Sequence, residues 1–170
     1  LPEPGADQCA SAPQLGSPVA PNIGAGIVVH GDFEALTNQV SIGQAAGCVD
    51  SSGGGPDLIY AVDLRPGDVL QARMSTASSA YPLLYILQDC AAPDTTCLGG
   101  ADYEKGANVE REARLQFLSD VAQTVYVVAD SKYSSSRGAF TLEIGVSEEE
   151  CGAHQTSCLG PEAMQYCDQG

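Results

Sequence analysis

The chain has no tryptophan, few methionines and phenylalanines, and very few basic residues: 7 Lys and Arg stand against 22 Asp and Glu, which gives a net charge of −15. Binding to nucleic acid requires a basic surface that neutralises phosphates, so this charge argues against nucleic acid as a partner. It disfavours an anionic membrane surface for the same reason. No apolar run approaches the roughly 18 to 20 residues that a membrane helix requires, so membrane insertion is not expected.

The length of 170 residues suits one domain of ordinary size with a short appendage. The first residues, Leu1–Pro4, lack the basic and apolar pattern of a signal peptide. We therefore expect a mature or excised segment of an exported protein.

Seven cysteines predict disulfides, which persist in oxidising compartments, and therefore predict export. Cys90 and Cys97 enclose a polar loop, and we predict that they pair with each other. A metal site would need closer cysteine pairs with histidines or further thiolates in register. A second pairing, of Cys9 with Cys48, is a hypothesis, because spacing does not determine connectivity. The pairing is open for the cysteines of the C-terminal segment, Cys151, Cys158 and Cys167.

Alternating apolar residues predict short strands and no long helix. The clearest strand is Leu58–Leu64, which ends at a turn over Arg65–Asp68, where proline and glycine suit a tight reversal, and returns as Val69–Met74. Further strands are predicted at Ile27–Ala35, Pro82–Leu87, Val109–Leu118, Thr124–Ala129 and Ala139–Val146. Seven or eight short strands at this spacing are typical of an antiparallel β-sandwich or jelly roll, so the predicted class is all-β.

Composition divides the chain into three parts. Residues 1–21 contain five of the ten prolines and are predicted to form an extended lead-in or linker. Residues 22–147 hold the predicted strands of the sandwich. Residues 148–170 are rich in cysteine and poor in apolar residues, which indicates the truncated start of a disulfide-rich module.

The segment Gly55–Asp68, with the sequence GPDLIYAVDLRPGD, resembles the pattern DxFxFxVxxGxxL of bacterial pre-peptidase C-terminal (PPC) domains. The likeness continues through Leu83–Leu87, Gln123–Asp130 and Gly138–Leu142, and spans roughly residues 9–146. It implies a jelly-roll β-sandwich that is attached to secreted proteases and other exported proteins and is not itself catalytic. The last cysteines resemble the start of a repeated cysteine-rich module that follows such domains.

Related domains of bacterial collagenases bind collagen and take calcium through acidic residues. The resemblance places Asp57 at one such position, with Glu34 and Asn38 as nearby oxygen donors. Calcium needs six to eight oxygens, however, and glycines occupy positions 53–55, where further carboxylates would be required. Calcium-dependent binding to a matrix or a polysaccharide is therefore an alternative, and no cofactor is expected.

No motif of a hydrolase or zinc protease, GxSxG or HExxH, is present. His30 lies in a predicted strand and His154 in the C-terminal segment, so neither has an evident catalytic partner. We predict that the chain is not an enzyme.

Three tyrosines, Tyr81, Tyr103 and Tyr133, fall in predicted loops, where an exposed ring can stack on a ligand, and they are the candidate ligand-binding residues. Tyr60, Tyr85 and Tyr126 fall in strands and are expected to be in the core. The basic segment 131–137 is interpreted as either a solvated hairpin tip or a binding loop.

We therefore expect a non-catalytic extracellular module of a larger secreted or cell-surface bacterial protein, acting as a spacer, an adhesion domain or an accessory binding domain for protein or polysaccharide. The alternative is a subunit of an extracellular filament or coat. An odd number of cysteines requires a partner outside this sequence, either in the same longer chain or in another copy.

Overall fold

A computed structural model describes residues 11–15, 26–44, 48–76, 80–103 and 111–148. The elements in chain order are β1 Gln14–Leu15, β2 Ile27–Asp32, a 3-10 turn Phe33–Ala35, β3 Leu58–Leu64, β4 Asp68–Thr76, β5 Pro82–Leu87, a short helix α1 Pro93–Thr96, β6 Cys97–Asp102, β7 Arg111–Leu118, β8 Gln123–Ser131 and β9 Ala139–Glu148. They form a five-stranded sheet of order β1-β3-β8-β5-β6 and a four-stranded sheet of order β2-β9-β4-β7. The strand pairs are antiparallel except for β1 with β3. The predicted all-β sandwich is confirmed.

The four-stranded sheet has one buried face and one face toward solvent. In β4 the side chains of Leu70, Ala72 and Met74 are buried, whereas Gln71 and Arg73 between them are half-exposed. Such alternation is expected when one side of a sheet packs on the core. In β9 every second side chain is buried, namely Phe140, Leu142, Ile144 and Val146.

The five-stranded sheet is covered on both faces. Every residue of β5 is buried, as its continuous apolar run predicts. In β3 the even-numbered residues face the other sheet, but Ile59 is also fully buried, on the opposite face. The alternation in β3 therefore separates two faces that are both buried, one against the other sheet and one against a second cover.

The chain between the 3-10 turn and β3 provides the second cover, and we call residues 36–44 and 48–57 the covering loop. It places Val40, Ile42 and Val49 in a second apolar cluster against the five-stranded sheet. Its two arms are joined by a bridge in which the Gly53 amide donates to the Ile42 carbonyl at 2.9 Å. A long loop without regular structure is thus stabilised by packing on the sheet.

The turn between β3 and β4 has the predicted form. Gly67 has a φ of +85°, which favours glycine, and Asp68 Oδ2 accepts a hydrogen bond of 2.8 Å from the Arg65 amide. The Gly67 amide donates to the Ser119 carbonyl of the neighbouring turn at 2.8 Å.

Three local predictions differ from the structure. The first strand ends at Asp32, because the Asp32 side chain accepts from the Glu34 amide and starts the 3-10 turn. Cys97–Asp102 is a strand, although its glycines and small residues gave no strand signal. Gln14–Leu15, in the predicted lead-in, pairs with β3, because the edge of that sheet offers unpaired backbone groups.

Candidate functional site

The three tyrosines that the sequence singled out lie together at one end of the sandwich. Tyr81 precedes β5, Tyr103 follows β6 and Tyr133 follows β8. The ring of Tyr81 is in edge contact with both others, with centroid distances of 5.2 Å to Tyr103 and 5.0 Å to Tyr133. Tyr133 is 45% exposed and the other two are half-buried. Three separate segments therefore build one aromatic surface.

Two cations complete this surface. The guanidinium carbon of Arg111, the first residue of β7, lies 3.6 Å from the ring centroid of Tyr81 and 5.6 Å from that of Tyr103. The Lys132 ammonium lies 5.6 Å from the ring centroid of Tyr133. All three distances are within the range of a cation–π interaction. We call these five residues the tyrosine–cation site.

Hydrogen bonds hold the segments of this site in place. The Lys132 amide donates to the Tyr81 carbonyl at 2.9 Å, which joins the end of β8 to the start of β5. Arg111 Nη1 donates to the Ala80 carbonyl at 3.0 Å, and Thr76 Oγ1 donates to the same oxygen at 3.3 Å. The site is therefore preformed by contacts to the backbone.

The covering loop reaches this site through a polar chain. Lys132 Nζ donates to Ser51 Oγ at 2.7 Å, and Ser51 Oγ donates to Asp102 Oδ2 at 2.5 Å. Ser51 is buried, whereas Lys132 and Asp102 are half-buried. The Lys132 ammonium is thus oriented through a neutral hydroxyl rather than by direct contact with a carboxylate.

Sequence reasoning missed Arg111 and considered Lys132 only as part of the basic segment 131–137. Arg111 stands in the charged sequence EREAR of residues 110–114, where nothing distinguishes it from Arg114. The contact with Tyr81 arises because β5 and β7 belong to different sheets whose ends meet at this point. No signal in the sequence could have identified it.

A second polar cluster lies buried beneath the covering loop. Tyr85 Oη donates to Asp130 Oδ2 at 2.9 Å, and the Ser131 amide donates to Asp130 Oδ1 at 2.6 Å. Asp57 Oδ2 accepts from the backbone amides of Gln39 and Val40 at 2.9 and 2.8 Å. Asp57 therefore satisfies two backbone amides of the covering loop, and Asp130 satisfies the Tyr85 hydroxyl and the Ser131 amide of the sheet.

The environment changes the ionisation of this cluster. Burial raises the pKa of Asp130 well above its ordinary value, and the charge of Asp57 raises it further, while hydrogen bonds from Tyr85, Ser131 and Gly55 lower it in part. Burial also raises the pKa of Tyr85, as does the charge of Asp130. Both carboxyl groups have no exposed surface, so neither can reach a substrate.

The three oxygen donors considered for calcium have different surroundings. Asp57 is fully buried and one of its oxygens accepts two amides, whereas Glu34 and Asn38 are exposed. Asn38 Nδ2 donates to Ser41 Oγ at 3.1 Å. In the part of the chain that the structure describes, no three His, Cys, Asp or Glu side chains are grouped closely enough to hold a metal ion.

The disulfide connectivity differs from the prediction. Cys48 of the covering loop bonds to Cys97 at the start of β6, with a Cα–Cα distance of 5.9 Å. The predicted pairs Cys90–Cys97 and Cys9–Cys48 are therefore wrong, because each uses a cysteine of this bond. They failed because the covering loop folds back over β6, a contact that sequence spacing does not show.

Of the remaining cysteines, only Cys90 is among the described residues. Cys90 is also disulfide-bonded, and its partner is outside the described residues. Cys9 and the three C-terminal cysteines, Cys151, Cys158 and Cys167, lie outside the described residues too. The Cys48–Cys97 bond by itself indicates an extracytoplasmic compartment.

His30 occupies the solvent-facing side of β2. It is exposed, and its Nδ1 is 3.1 Å from Oγ1 of Thr141, its partner in the neighbouring strand. A cross-strand pair of this kind is a structural role. His154 lies outside the described residues.

No protein-family model and no curated protein matches the sequence. Among solved structures, the chain is similar to the pre-peptidase C-terminal domain of a collagenase from Bacillus anthracis, with 7% identity over 79% of this chain and 92% of that chain and a TM-score of 0.43. It is also similar to PliG, a periplasmic inhibitor of g-type lysozyme from Aeromonas hydrophila, with 11% identity over 79% and 99% of the two chains and a TM-score of 0.42. These likenesses concern the fold. None of the helices in the described residues is long and apolar enough to cross a membrane.

Proposed function

We propose that this chain is a non-catalytic, extracellular binding module of a larger secreted or cell-surface bacterial protein, and that it binds its ligand at the tyrosine–cation site. The observation that carries the proposal is the meeting of Tyr81, Tyr103 and Tyr133 from three separate segments. Aromatic side chains with a polar tip, arranged on a rigid frame, are characteristic of recognition surfaces.

The other polar groups support a non-catalytic role. The buried carboxyl groups of Asp57 and Asp130 are enclosed by the covering loop, and His30 is paired with Thr141 on the outer face of a sheet. A catalytic acid or base must reach the proton that it transfers. The buried carboxyl groups of Asp57 and Asp130 cannot reach a substrate, and His30 is the only one of the three groups at the surface.

Binding to immobilised extracellular polymers, both proteins and polysaccharides, tests the proposal. We expect retention of the wild type on at least one polymer and loss of retention in Tyr133→Ala, because Tyr133 is the most exposed ring of the site. Val121→Ala is the matched control, since Val121 is 49% exposed in the turn between β7 and β8, at the opposite end of the sandwich. Retention that Tyr133→Ala leaves unchanged contradicts the site, and retention on no polymer favours a spacer.

A subunit of an extracellular filament or coat is the second candidate, and the distribution of charge along the sandwich favours it. The register of β4 places Thr76 opposite Arg111 and Asp68 opposite Glu148. The nine residues of β4 separate these ends by about 27 Å at a rise of about 3.3 Å per residue. The basic site thus lies at one end, and the sequence run Glu148–Glu150 begins at the other.

End-to-end association between opposite charges would give oligomers that dissociate in salt. Size-exclusion chromatography at low and high salt, with non-reducing electrophoresis, separates this candidate from the first. A ladder of oligomers supports a filament or coat, whereas a monomer at both salt concentrations eliminates it.

A further inference from the structure

The tyrosine–cation site is a local exception to the charge of the chain. Only 7 of the 170 residues are Lys or Arg, yet Arg111 and Lys132 both lie at this site. The ion pairs of the described residues involve Arg65, Arg73 and Arg114 instead. No described carboxylate lies within ion-pair distance of Arg111 or Lys132. In a protein with a net charge of −15, two such cations at one site indicate an anionic ligand.

The geometry of Arg111 favours a planar anion. Its guanidinium group lies over the face of Tyr81, and Nη1 donates to the Ala80 carbonyl, so the plane of the group is fixed from two directions. A guanidinium group has five N–H donors in a rigid fork, which matches the two oxygens of a carboxylate. The fixed plane reduces the entropy that is lost when a carboxylate is bound.

The aromatic part of the site favours a ligand with a flat apolar face. Tyr133 is 45% exposed and stands nearly perpendicular to Tyr81, with an interplanar angle of 84°. A pyranose ring presents a face of C–H groups that can stack on such a ring, while its hydroxyls remain in water. A neutral sugar satisfies the ring but offers no anion to Arg111 and Lys132.

A sugar that carries a carboxylate satisfies both parts of the site. We propose that the tyrosine–cation site binds the uronate residues of an acidic polysaccharide, with the pyranose face against Tyr133 and the carboxylate on Arg111 and Lys132. This inference rests on the proposed binding function and specifies the chemical class of its ligand. The carboxylate is placed on Arg111 because its two oxygens match the two parallel N–H groups of the fork.

The test uses oligosaccharides of galacturonate and mannuronate, and the methyl esters of the same sugars, in isothermal titration calorimetry with the whole chain. The ester keeps the ring and removes the charge. We expect the ester to bind at least about tenfold more weakly, because a hydrogen-bonded charge pair accounts for that ratio or more. The affinity for the acid should also fall as salt is added.

Variants locate the binding. Tyr133→Ala and Arg111→Gln should each weaken the binding of uronate at least about tenfold, and Arg111→Lys should restore less than half of the loss, because an ammonium lacks the planar fork. Arg114→Gln is the matched control, since Arg114 is an arginine of the same strand whose side chain is 65% exposed. Thermal melts of each variant show that it is folded.

The outcomes separate the ligand class from the site. Equal affinity for the acid and the ester overturns the uronate proposal, as does preference for a neutral polysaccharide or a protein. If Tyr133→Ala still loses binding of that other ligand, the proposed function is supported. Binding of uronate that survives both Tyr133→Ala and Arg111→Gln overturns the assignment to this site. Absence of binding to either uronate also overturns the inference, and preferential binding of a second copy of the chain supports the filament or coat instead.

Discussion

The hydroxyl group of Tyr85 donates a hydrogen bond of 2.9 Å to Asp130 Oδ2, and neither residue has any exposed surface. The pair lies between the five-stranded sheet and the covering loop, where it helps to hold the loop in place. Its ionisation therefore links the stability of the sandwich to pH.

The first prediction concerns Asp130. Burial, with the charge of Asp57, raises the pKa of Asp130 in the folded state above the ordinary value of 3.8. At pH values between 3.8 and the pKa of the folded state, Asp130 binds a proton in the folded state but not in the unfolded state. This contribution to stability is therefore complete below pH 3.8 and is lost as the pH rises through the pKa of the folded state. The free energy of unfolding should rise on acidification within this window, by up to about 1.4 kcal/mol per pH unit.

Urea unfolding between about pH 8 and about pH 5 measures this contribution, with Asp130→Asn as the comparison. The amide does not titrate, so the wild type should gain stability relative to Asp130→Asn as pH falls. Parallel curves for the two proteins would contradict the assignment.

The second prediction concerns the donor in the same pair. Tyr85→Phe removes the hydroxyl that stabilises the charged form of Asp130, and should destabilise the fold by about 1–3 kcal/mol at neutral pH. The pKa of Asp130 should rise further, because the hydrogen bond from Tyr85 lowers it in the wild type. The loss of stability should therefore become smaller on acidification, and a loss that does not depend on pH would indicate a packing effect alone.

The third prediction compares two adjacent glycines of the covering loop. A Cβ atom at Gly53 would collide with the Asp130 carboxyl group and lie 3.0 Å from Leu83 Cδ2, whereas one at Gly54 would meet nothing within 4 Å. We expect Gly53→Ala to destabilise the fold by about 1–3 kcal/mol, and Gly54→Ala to be neutral or stabilising by up to about 1 kcal/mol. Equal urea midpoints for the two variants would show that the loop does not pack on Asp130 as described.

The fourth prediction is the covalent bond between the covering loop and β6. Cleavage before aspartates divides the chain so that Cys48, Cys90 and Cys97 fall in the peptides 32–49, 89–93 and 94–101. Mass spectrometry without reduction should find 32–49 joined to 94–101. A peptide pair of 89–93 with 94–101 would instead restore the pairing of Cys90 with Cys97.

The same bond should contribute to stability. It spans 49 positions of the chain, and the entropy of closing such a loop corresponds to about 4 kcal/mol. The double variant Cys48→Ala/Cys97→Ala should therefore lose about 2–4 kcal/mol in urea unfolding. A loss below about 0.5 kcal/mol would contradict this role.

The fifth prediction concerns calcium. One oxygen of Asp57 already accepts two backbone amides, and Glu34 and Asn38 are exposed side chains. We therefore expect the thermal midpoint to be the same in millimolar calcium and in chelator, since an ion bound only by the folded state would raise it. A higher midpoint in calcium would favour the alternative of a calcium-dependent binding domain.

The core strands could be predicted because their signal is local. Tyr60, Tyr85 and Tyr126 were expected in the core; Tyr60 and Tyr85 are fully buried, whereas Tyr126 is only partly buried. The strand β7 could be identified from the alternation of Leu115 and Phe117 with Gln116. The strand β6 could not be predicted, because the small residues of Cys97–Asp102 are held by pairing with β5 rather than by their own preference.

The candidate site was only half predictable. The loop positions of Tyr81, Tyr103 and Tyr133 identified them as candidate ligand-binding residues, although only Tyr133 is exposed, and nothing in the order of residues indicated that they meet. Arg111 lies on Tyr81 because two sheets end at the same place, and this proximity depends on the packing of one sheet against the other.

The sequence by itself determined the fold class and the acidic character of the chain, because strand alternation and net charge are properties of the residues and their order. The tertiary structure decided the bond from Cys48 to Cys97, the burial of Asp57 and Asp130, and the assembly of the tyrosine–cation site. Each of these depends on contacts between segments that are distant in the chain. The covering loop shows the difference most directly: a polar segment of small residues became the second cover of a sheet because β3, β5 and β8 present an apolar outer face that must be removed from water.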